Sequence, residues 1–96
     1  MILETREDLR AALHALGFHD DAADLGNAAT PADERRAIEA ARHAIEGAQV
    51  MLRRHWRALQ GHTAVRVEAA QLAELDEALL ARLAVLSATA HTEVAA

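Results

Sequence analysis

Cysteine is absent from the 96-residue sequence, which excludes disulfide bonds and thiolate metal sites. Lysine and tyrosine are absent as well, and all ten basic residues are arginine. Because a solvated helix surface accepts either basic residue, we interpret this as the codon usage of a GC-rich bacterial or phage genome. No apolar run approaches the roughly 20 residues of a membrane span, and the chain starts with acidic residues where a secretion signal has basic ones. The sequence therefore predicts a cytoplasmic protein that does not bind a membrane.

Strand patterns are also absent, because no segment alternates apolar and polar residues with a period of two. Only Phe18 and Trp56 are aromatic, and proline occurs once. We therefore predict an all-α fold, formed by residues 1–96 as a single domain. A chain of this size buries only a modest core by itself, so a second subunit is a natural source of further burial.

Capping signals predict where the helices begin and end. Thr30 precedes Pro31, and Asp33 follows three residues after the threonine, which is typical of a helix N-terminus. Only Gly47 interrupts the helix formers before Gly61, so a long helix of about 45 Å is expected. The predicted segments are a short N-terminal helix ending at Gly17 with an acidic connector (1–30), a first long helix (31–61), a second long helix (63–90) and a tail (91–96). The two long helices should form an antiparallel hairpin.

Apolar residues recur on one face of each long helix, every seven residues in the first and as a leucine stripe in the second. The predicted dimer seam consists of Ile38, Ile45, Leu52, Leu59, Leu72, Leu75, Leu79, Leu83 and Leu86. Ala41, Ala48 and His55 occupy the intervening seam positions of the first long helix. A short N-terminal helix of about 18 Å cannot cover both long helices along their length. We therefore predict a homodimer in which two hairpins pair into a four-helix bundle.

Charge is distributed unevenly along the chain, whose formal net charge is -5. Residues 1–34 hold eight acids and two arginines, and residues 67–96 hold five acids and one arginine. Residues 35–66 hold seven arginines and two glutamates. The middle of the chain is therefore basic and both ends are acidic, which predicts electrostatic attraction between these regions or to an acidic partner.

The basic residues concentrate in the stretch VMLRRHWRALQGHT, residues 50–63. No Asp or Glu lies between Glu46 and Glu68, so these arginines lack acidic partners three or four residues away in their own helix. The candidate partner-binding residues are Arg53, Arg54, Trp56, Arg57 and Arg66. They could also be ordinary solvated residues, or could pair with Asp20, Asp21 and Asp24 of the same chain or a second copy.

The sequence shows few features of a catalytic site or a metal site. No glycine-rich phosphate loop is present, and the chain is too small to leave room for a substrate pocket. Glu39, His43 and Glu46 share a helix face, but the glutamates are equally placed to pair with neighbouring arginines. We expect no small-molecule substrate, cofactor or metal.

The sequence favours a non-enzymatic helical protein-interaction module, an adaptor, regulator or inhibitor of a bacterial or phage-host partner protein. The alternative is a dimeric nucleic-acid-associated regulator, in which Arg53, Arg54, Arg57 and Arg66 neutralise phosphates.

Overall fold

A computed structural model describes the backbone of residues 3–95 and the side chains of residues 3–88. The helices in chain order are α1 (Arg6–Ala15), α2 (His19–Gly26), α3 (Pro31–Arg54), α4 (Trp56–Leu59) and α5 (Thr63–Ala95). The described backbone contains no strand, which confirms the predicted all-α fold.

Helix α1 begins and ends through local hydrogen bonds. The Thr5 hydroxyl accepts a hydrogen bond from the Asp8 N–H at 3.1 Å, and the Asp8 carboxylate accepts one from the Thr5 N–H at 3.2 Å. These hydrogen bonds with Thr5 hold the pKa of Asp8 below its ordinary value. At the other end, Gly17 adopts a φ of 94°, and the Phe18 N–H bonds to the Leu13 carbonyl at 2.9 Å. This is the Schellman arrangement, so the predicted helix end at Gly17 is confirmed.

Helix α2 lies within the segment predicted to be an acidic connector, and its eight residues form about two turns. Ala22 and Leu25 are buried on one face of α2, and this burial explains why an aspartate-rich segment is helical. The Arg6 guanidinium donates to the Ala28 carbonyl at 2.8 Å, which joins the start of α1 to the residues that follow α2. The two helices therefore run in opposite directions and form one layer, the α1–α2 layer.

Helix α3 begins as predicted, with Pro31 in the first turn and the Thr30 hydroxyl accepting the Asp33 N–H at 3.1 Å. It ends at Arg54, however, and the short helix α4 follows, so the single helix predicted over 31–61 is wrong. The C-terminal partial negative charge of a helix favours cations, and Arg53 and Arg54 lie in the last turn of α3.

Helix α5 starts at Thr63 as predicted and continues through most of the expected tail to Ala95; Ala96 lies outside the described residues.

Helices α3 and α5 pack against each other in opposite directions. The Arg42 guanidinium donates to Asp76 at 3.0 Å, and Arg82 donates to Glu34 at 3.1 Å, so residues later in α3 meet residues earlier in α5. Glu34 is buried, with an exposed fraction of 4%. Arg6 of α1 lies 3.9 Å from the same carboxylate, so this buried charge connects three helices.

The core lies between the α1–α2 layer and the α3–α5 pair. Its buried apolar residues are Leu9, Leu13, Ala22, Leu25, Ala37, Ile38, Ala41, Ile45, Leu72, Leu75, Leu79 and Leu86. Six of the nine predicted dimer-seam residues are among them, and Leu83 is half-buried against the same core. These residues are therefore covered within a single chain. The sequence did not predict that α2 would join α1 in covering them.

The α1–α2 layer covers only one half of the long helices. The last buried residue of α3 is Ile45 and the first of α5 is Leu72, and no residue of 46–71 is buried. We call residues 46–71 the tip half of the molecule. It contains the other two seam residues, Leu52 and Leu59, which are both half-buried; Leu52, like Leu83, packs against the core. The seam predicted from the sequence is thus covered in one half and partly open in the other.

Candidate protein-binding surface

The tip half is shaped by a break in the helix at His55. Its backbone has a φ of -107° and a ψ of 12°, outside the α-helical region, and separates α3 from α4. His55 was predicted to be a seam residue, but it is exposed. Within the single chain, His55 is therefore not covered, and its place in a seam between two chains stays a prediction. Trp56 is the first residue of α4 after this break.

All four arginines of the tip half are exposed, and none forms an ion pair with any described side chain. These tip arginines are Arg53, Arg54, Arg57 and Arg66. Of the six arginines elsewhere in the chain, five form ion pairs with described side chains and Arg35 does not; the five are Arg6, Arg10, Arg36, Arg42 and Arg82. The positive charge of the tip half is therefore left for solvent or for another molecule.

A groove of about 490 Å³ lies beside the tip arginines. The residues that line this tip groove are Gln49, Leu52, Arg53, Trp56 and Ala69. Trp56 has an exposed fraction of 38%. Such a groove can bind an apolar side chain of another molecule, and the Arg53 guanidinium at its edge can bind a carboxylate next to that side chain.

A second, polar groove of about 460 Å³ adjoins the first and shares Gln49 and Arg53 with it. Glu39, His43 and Glu46 lie along this groove. They do not converge on one point, and the described residues contain no group of three or more His, Asp or Glu side chains that could hold a metal ion.

The five predicted partner-binding residues therefore share the tip half, and all five are exposed. The alternative that Arg53, Arg54 and Arg57 pair with the aspartates of α2 in the same chain is not observed among the described ion pairs.

Those aspartates form a second unpaired group, the acidic corner, which consists of Asp20, Asp21 and Asp24 of α2. Asp20 and Asp24 are exposed and Asp21 is half-buried. None of the three pairs with a described arginine. Partial burial raises the pKa of Asp21, and the charges of Asp24 and Asp20 raise it further. The negative charge of the acidic corner is therefore not neutralised by any described arginine of the chain.

Sequence reasoning missed the buried Glu34, although a signal for it was present. Ala41 and Ala48 lie seven residues apart on the seam face of the first long helix, and Glu34 lies seven residues before Ala41. This spacing places Glu34 on the same buried face. A charged residue in that register indicates an internal ion pair, here with Arg82.

Comparisons with protein-family models, with curated proteins and with solved structures found no match for this chain. Among the described residues, no helix combines the length and the apolar character needed to cross a membrane.

Proposed function

We propose that this chain is a non-enzymatic helical protein-interaction module, an adaptor, regulator or inhibitor of another protein. Its binding surface consists of the tip arginines, Trp56 and the tip groove. One observation carries the proposal: residues 46–71 include no buried residue, yet they present four unpaired guanidinium groups beside an apolar groove.

The chemistry of this surface favours an acidic, amphipathic helix as the bound element. Tryptophan and arginine are the residues that most often dominate the binding energy of protein interfaces. A groove between two helices accepts the apolar side of a third helix, and guanidinium groups bind carboxylates with two parallel hydrogen bonds. A partner helix with apolar residues on one face and Asp or Glu along its edge would satisfy both features.

Nucleic-acid binding is the alternative, because clustered arginines also neutralise phosphates. The tip groove favours a protein partner, since phosphate backbones do not fill an apolar groove. Trp56 alone also provides no series of aromatic side chains for stacking bases. The net charge of -5 further opposes binding to a polyanion.

We also propose that the chain self-associates. Pairing along the complete predicted seam would require opening the core, because six of the nine seam residues are already buried. A second chain would therefore use the tip half, where Leu52 and Leu59 are only half-buried.

Affinity capture with matched arginine variants tests the proposed function. The parent chain, Arg53→Gln/Arg57→Gln and Arg10→Gln/Arg36→Gln would each serve as bait in extracts of the native host, with mass spectrometry to identify the captured protein. The two variants lose the same charge, but only the first alters the tip half. The captured protein would then be purified and titrated against each bait, with the fluorescence of Trp56, the only tryptophan, as the signal.

We expect the tip variant to weaken binding by about tenfold or more, and the control variant to bind as the parent does. Melting temperatures should be nearly equal, because exposed charges contribute only about 0–1 kcal/mol. Equal affinity of the tip variant and the parent would contradict the proposal. Tip-dependent affinity for duplex DNA or single-stranded RNA that falls steeply with salt, without capture of a protein, would instead support the alternative.

A further inference from the structure

The tip groove and the polar groove form one continuous surface on the α3–α5 pair, because they share two lining residues. The polar groove includes Arg42 and Asp76, which join α3 to α5 at 3.0 Å. None of the residues that line either groove belongs to α1 or α2. The α1–α2 layer packs on the other side of the pair, where Arg6 lies 3.9 Å from Glu34. We call the surface formed by the two grooves the open face.

Helix α3 contributes a straight row of residues to the open face. Its members recur every three or four residues, a spacing that keeps them on one side of a helix. From residue 39 to residue 53, the row is about 21 Å long. The α3 residues of this row are Glu39, Arg42, His43, Glu46, Gln49 and Arg53.

The free charges of the row change sign along its length. Glu39 and Glu46 are exposed and form no ion pair with a described side chain. Arg42 lies only four residues before Glu46, but it is already paired with Asp76. Arg53 is unpaired, yet seven residues separate it from Glu46, which is about 10 Å along the helix. The row therefore has free negative charge at one end and free positive charge at the other.

We infer that a second copy of this chain binds to the open face, with the two α3 helices antiparallel across a two-fold axis near Gln49. In this register, Glu46 of each copy lies beside Arg53 of the other, because both are equally far from the midpoint between residues 49 and 50. His43 lies three residues beyond Glu46, and Trp56 lies three residues beyond Arg53, so His43 comes to the tip groove of the other copy. The inference rests on the proposed function, namely that the tip half binds protein, and it identifies the protein that binds there.

Charge complementarity favours a second copy as the occupant. An identical helix that runs in the opposite direction presents its Arg53 to the free acids and its free acids to Arg53, and the symmetry repeats each contact. A copy whose α3 ran in the same direction would place like charges at the same level, which is unfavourable. Gln49 is also suited to a position near the axis, because its amide both donates and accepts hydrogen bonds and can therefore pair with itself.

Surface area agrees with such an arrangement. The accessible surface of the chain is 6406 Å², whereas a compact monomer of 10.4 kDa exposes about 5,400 Å². The excess is about 1,000 Å², and a standard protein interface covers about 800 Å² on each partner. Pairing along the open face would therefore cover an area similar to the excess.

Charge reversal at Glu46 and Arg53, singly and together, tests the inference. Glu46→Arg or Arg53→Glu places like charges at both contacts, whereas the double variant exchanges the charges and again joins opposite ones. Glu74→Arg is the matched control for Glu46→Arg, because Glu74 is exposed, forms no described ion pair and lines neither groove. Sedimentation velocity at micromolar concentration would measure the mass of each protein, and circular dichroism would verify that each is helical.

The parent and the control are expected to be dimers of similar affinity. Each single reversal should raise the dissociation constant about tenfold or more, because like charges then face each other. The double variant should recover most of the affinity of the parent. An equimolar mixture of the two single variants should form a heterodimer, since both of its contacts join opposite charges.

Recovery in the double variant would show that residues 46 and 53 meet across the two-fold axis. A dimer unaffected by either single reversal, or a double variant that dissociates as readily as the single ones, would overturn the inference. Equal dissociation of the Glu74→Arg control and of Glu46→Arg would also overturn it, as would a monomeric parent. If that monomer still captured another protein through Arg53 and Arg57, the proposed function would stand without the self-association. If it captured none, both would fail.

Discussion

Replacing Arg82 with methionine should destabilise the fold strongly, because it removes the main counter-charge of a buried carboxylate. Arg82 donates to both oxygens of Glu34, at 3.1 and 3.3 Å, and Glu34 is 4% exposed. Only Arg6 remains nearby, at 3.9 Å. Removing one partner of a buried ion pair costs about 3–5 kcal/mol, and the remaining attraction of Arg6 leads us to expect the lower end, about 3 kcal/mol.

The expected loss is large for a chain of this size. A domain of 96 residues has a free energy of unfolding of about 5–14 kcal/mol. At about 4–8 °C for each kcal/mol, the melting temperature should fall by about 12–24 °C. Circular dichroism during heating, together with urea unfolding, would measure both quantities.

Two controls show whether the unpaired Glu34 carboxylate causes the loss of stability. Arg36→Met removes an exposed arginine paired with Asp33 and should cost no more than about 1 kcal/mol. Glu34→Met combined with Arg82→Met removes both charges and should restore most of the stability, because an apolar pair of similar size can replace a buried ion pair. If Arg82→Met melted within a few degrees of the parent, or if the double variant were no more stable than the single one, the account of Glu34 would be wrong.

Three further changes test other parts of the fold by the same melting experiments. Gly17→Ala should lose about 1–2 kcal/mol, because the φ of 94° at the end of α1 disfavours any side chain; an unchanged melting temperature would contradict this. Gly47→Ala should gain up to about 1 kcal/mol, since no atom lies within 4 Å of the added methyl group and alanine favours the helix; a loss would indicate a contact that the chain alone does not explain. Asp21→Asn should raise the melting temperature near neutral pH, because burial and its acidic neighbours raise the folded-state pKa of Asp21, so its ionised form destabilises the fold. Stability of the parent increases as the pH falls through that raised pKa, so the advantage of the variant should shrink there, and a pH-independent difference would refute this cause.

Local signals in the sequence predicted the helix starts, because capping depends on residues that are close along the chain. Thr30 and Pro31 specify the start of α3, and Gly17 specifies the end of α1. The end of α3 at Arg54 was not predicted, because neither glycine nor proline marks it. Capping signals also could not predict α2, whose stability depends on burying Ala22 and Leu25 rather than on its own residues.

For the candidate surface as well, the sequence predicted features that depend on neighbouring residues but not those that depend on tertiary packing. The lack of acids between Glu46 and Glu68 predicted that the tip arginines would have no partner within their own helix, and the described ion pairs agree. Seven-residue spacing predicted one continuous seam, but only the part beneath the α1–α2 layer is buried. The sequence could not show where the layer ends, because that depends on how α1 and α2 pack. The tip groove depends on tertiary packing too, because α3, α4 and α5 together line it.

If a second copy occupies the tip half, self-association and binding of a foreign partner compete for one surface. A partner that carries an acidic helix would then displace the second copy, and its apparent affinity would fall as the concentration of the chain rises.

Photo-crosslinking in the native host tests most directly whether the tip half binds protein. A benzoylphenylalanine would replace Trp56 of the tip groove, and in a matched control it would replace Leu80 of α5; both side chains are exposed, with fractions of 38% and 51%. We expect irradiation to join the Trp56 variant to a protein, either a second copy or a distinct partner, and Arg53→Gln/Arg57→Gln should abolish the adduct. The Leu80 variant should yield little of the same adduct. An absence of adducts at position 56, or equal adducts at both positions, would contradict the proposed binding surface.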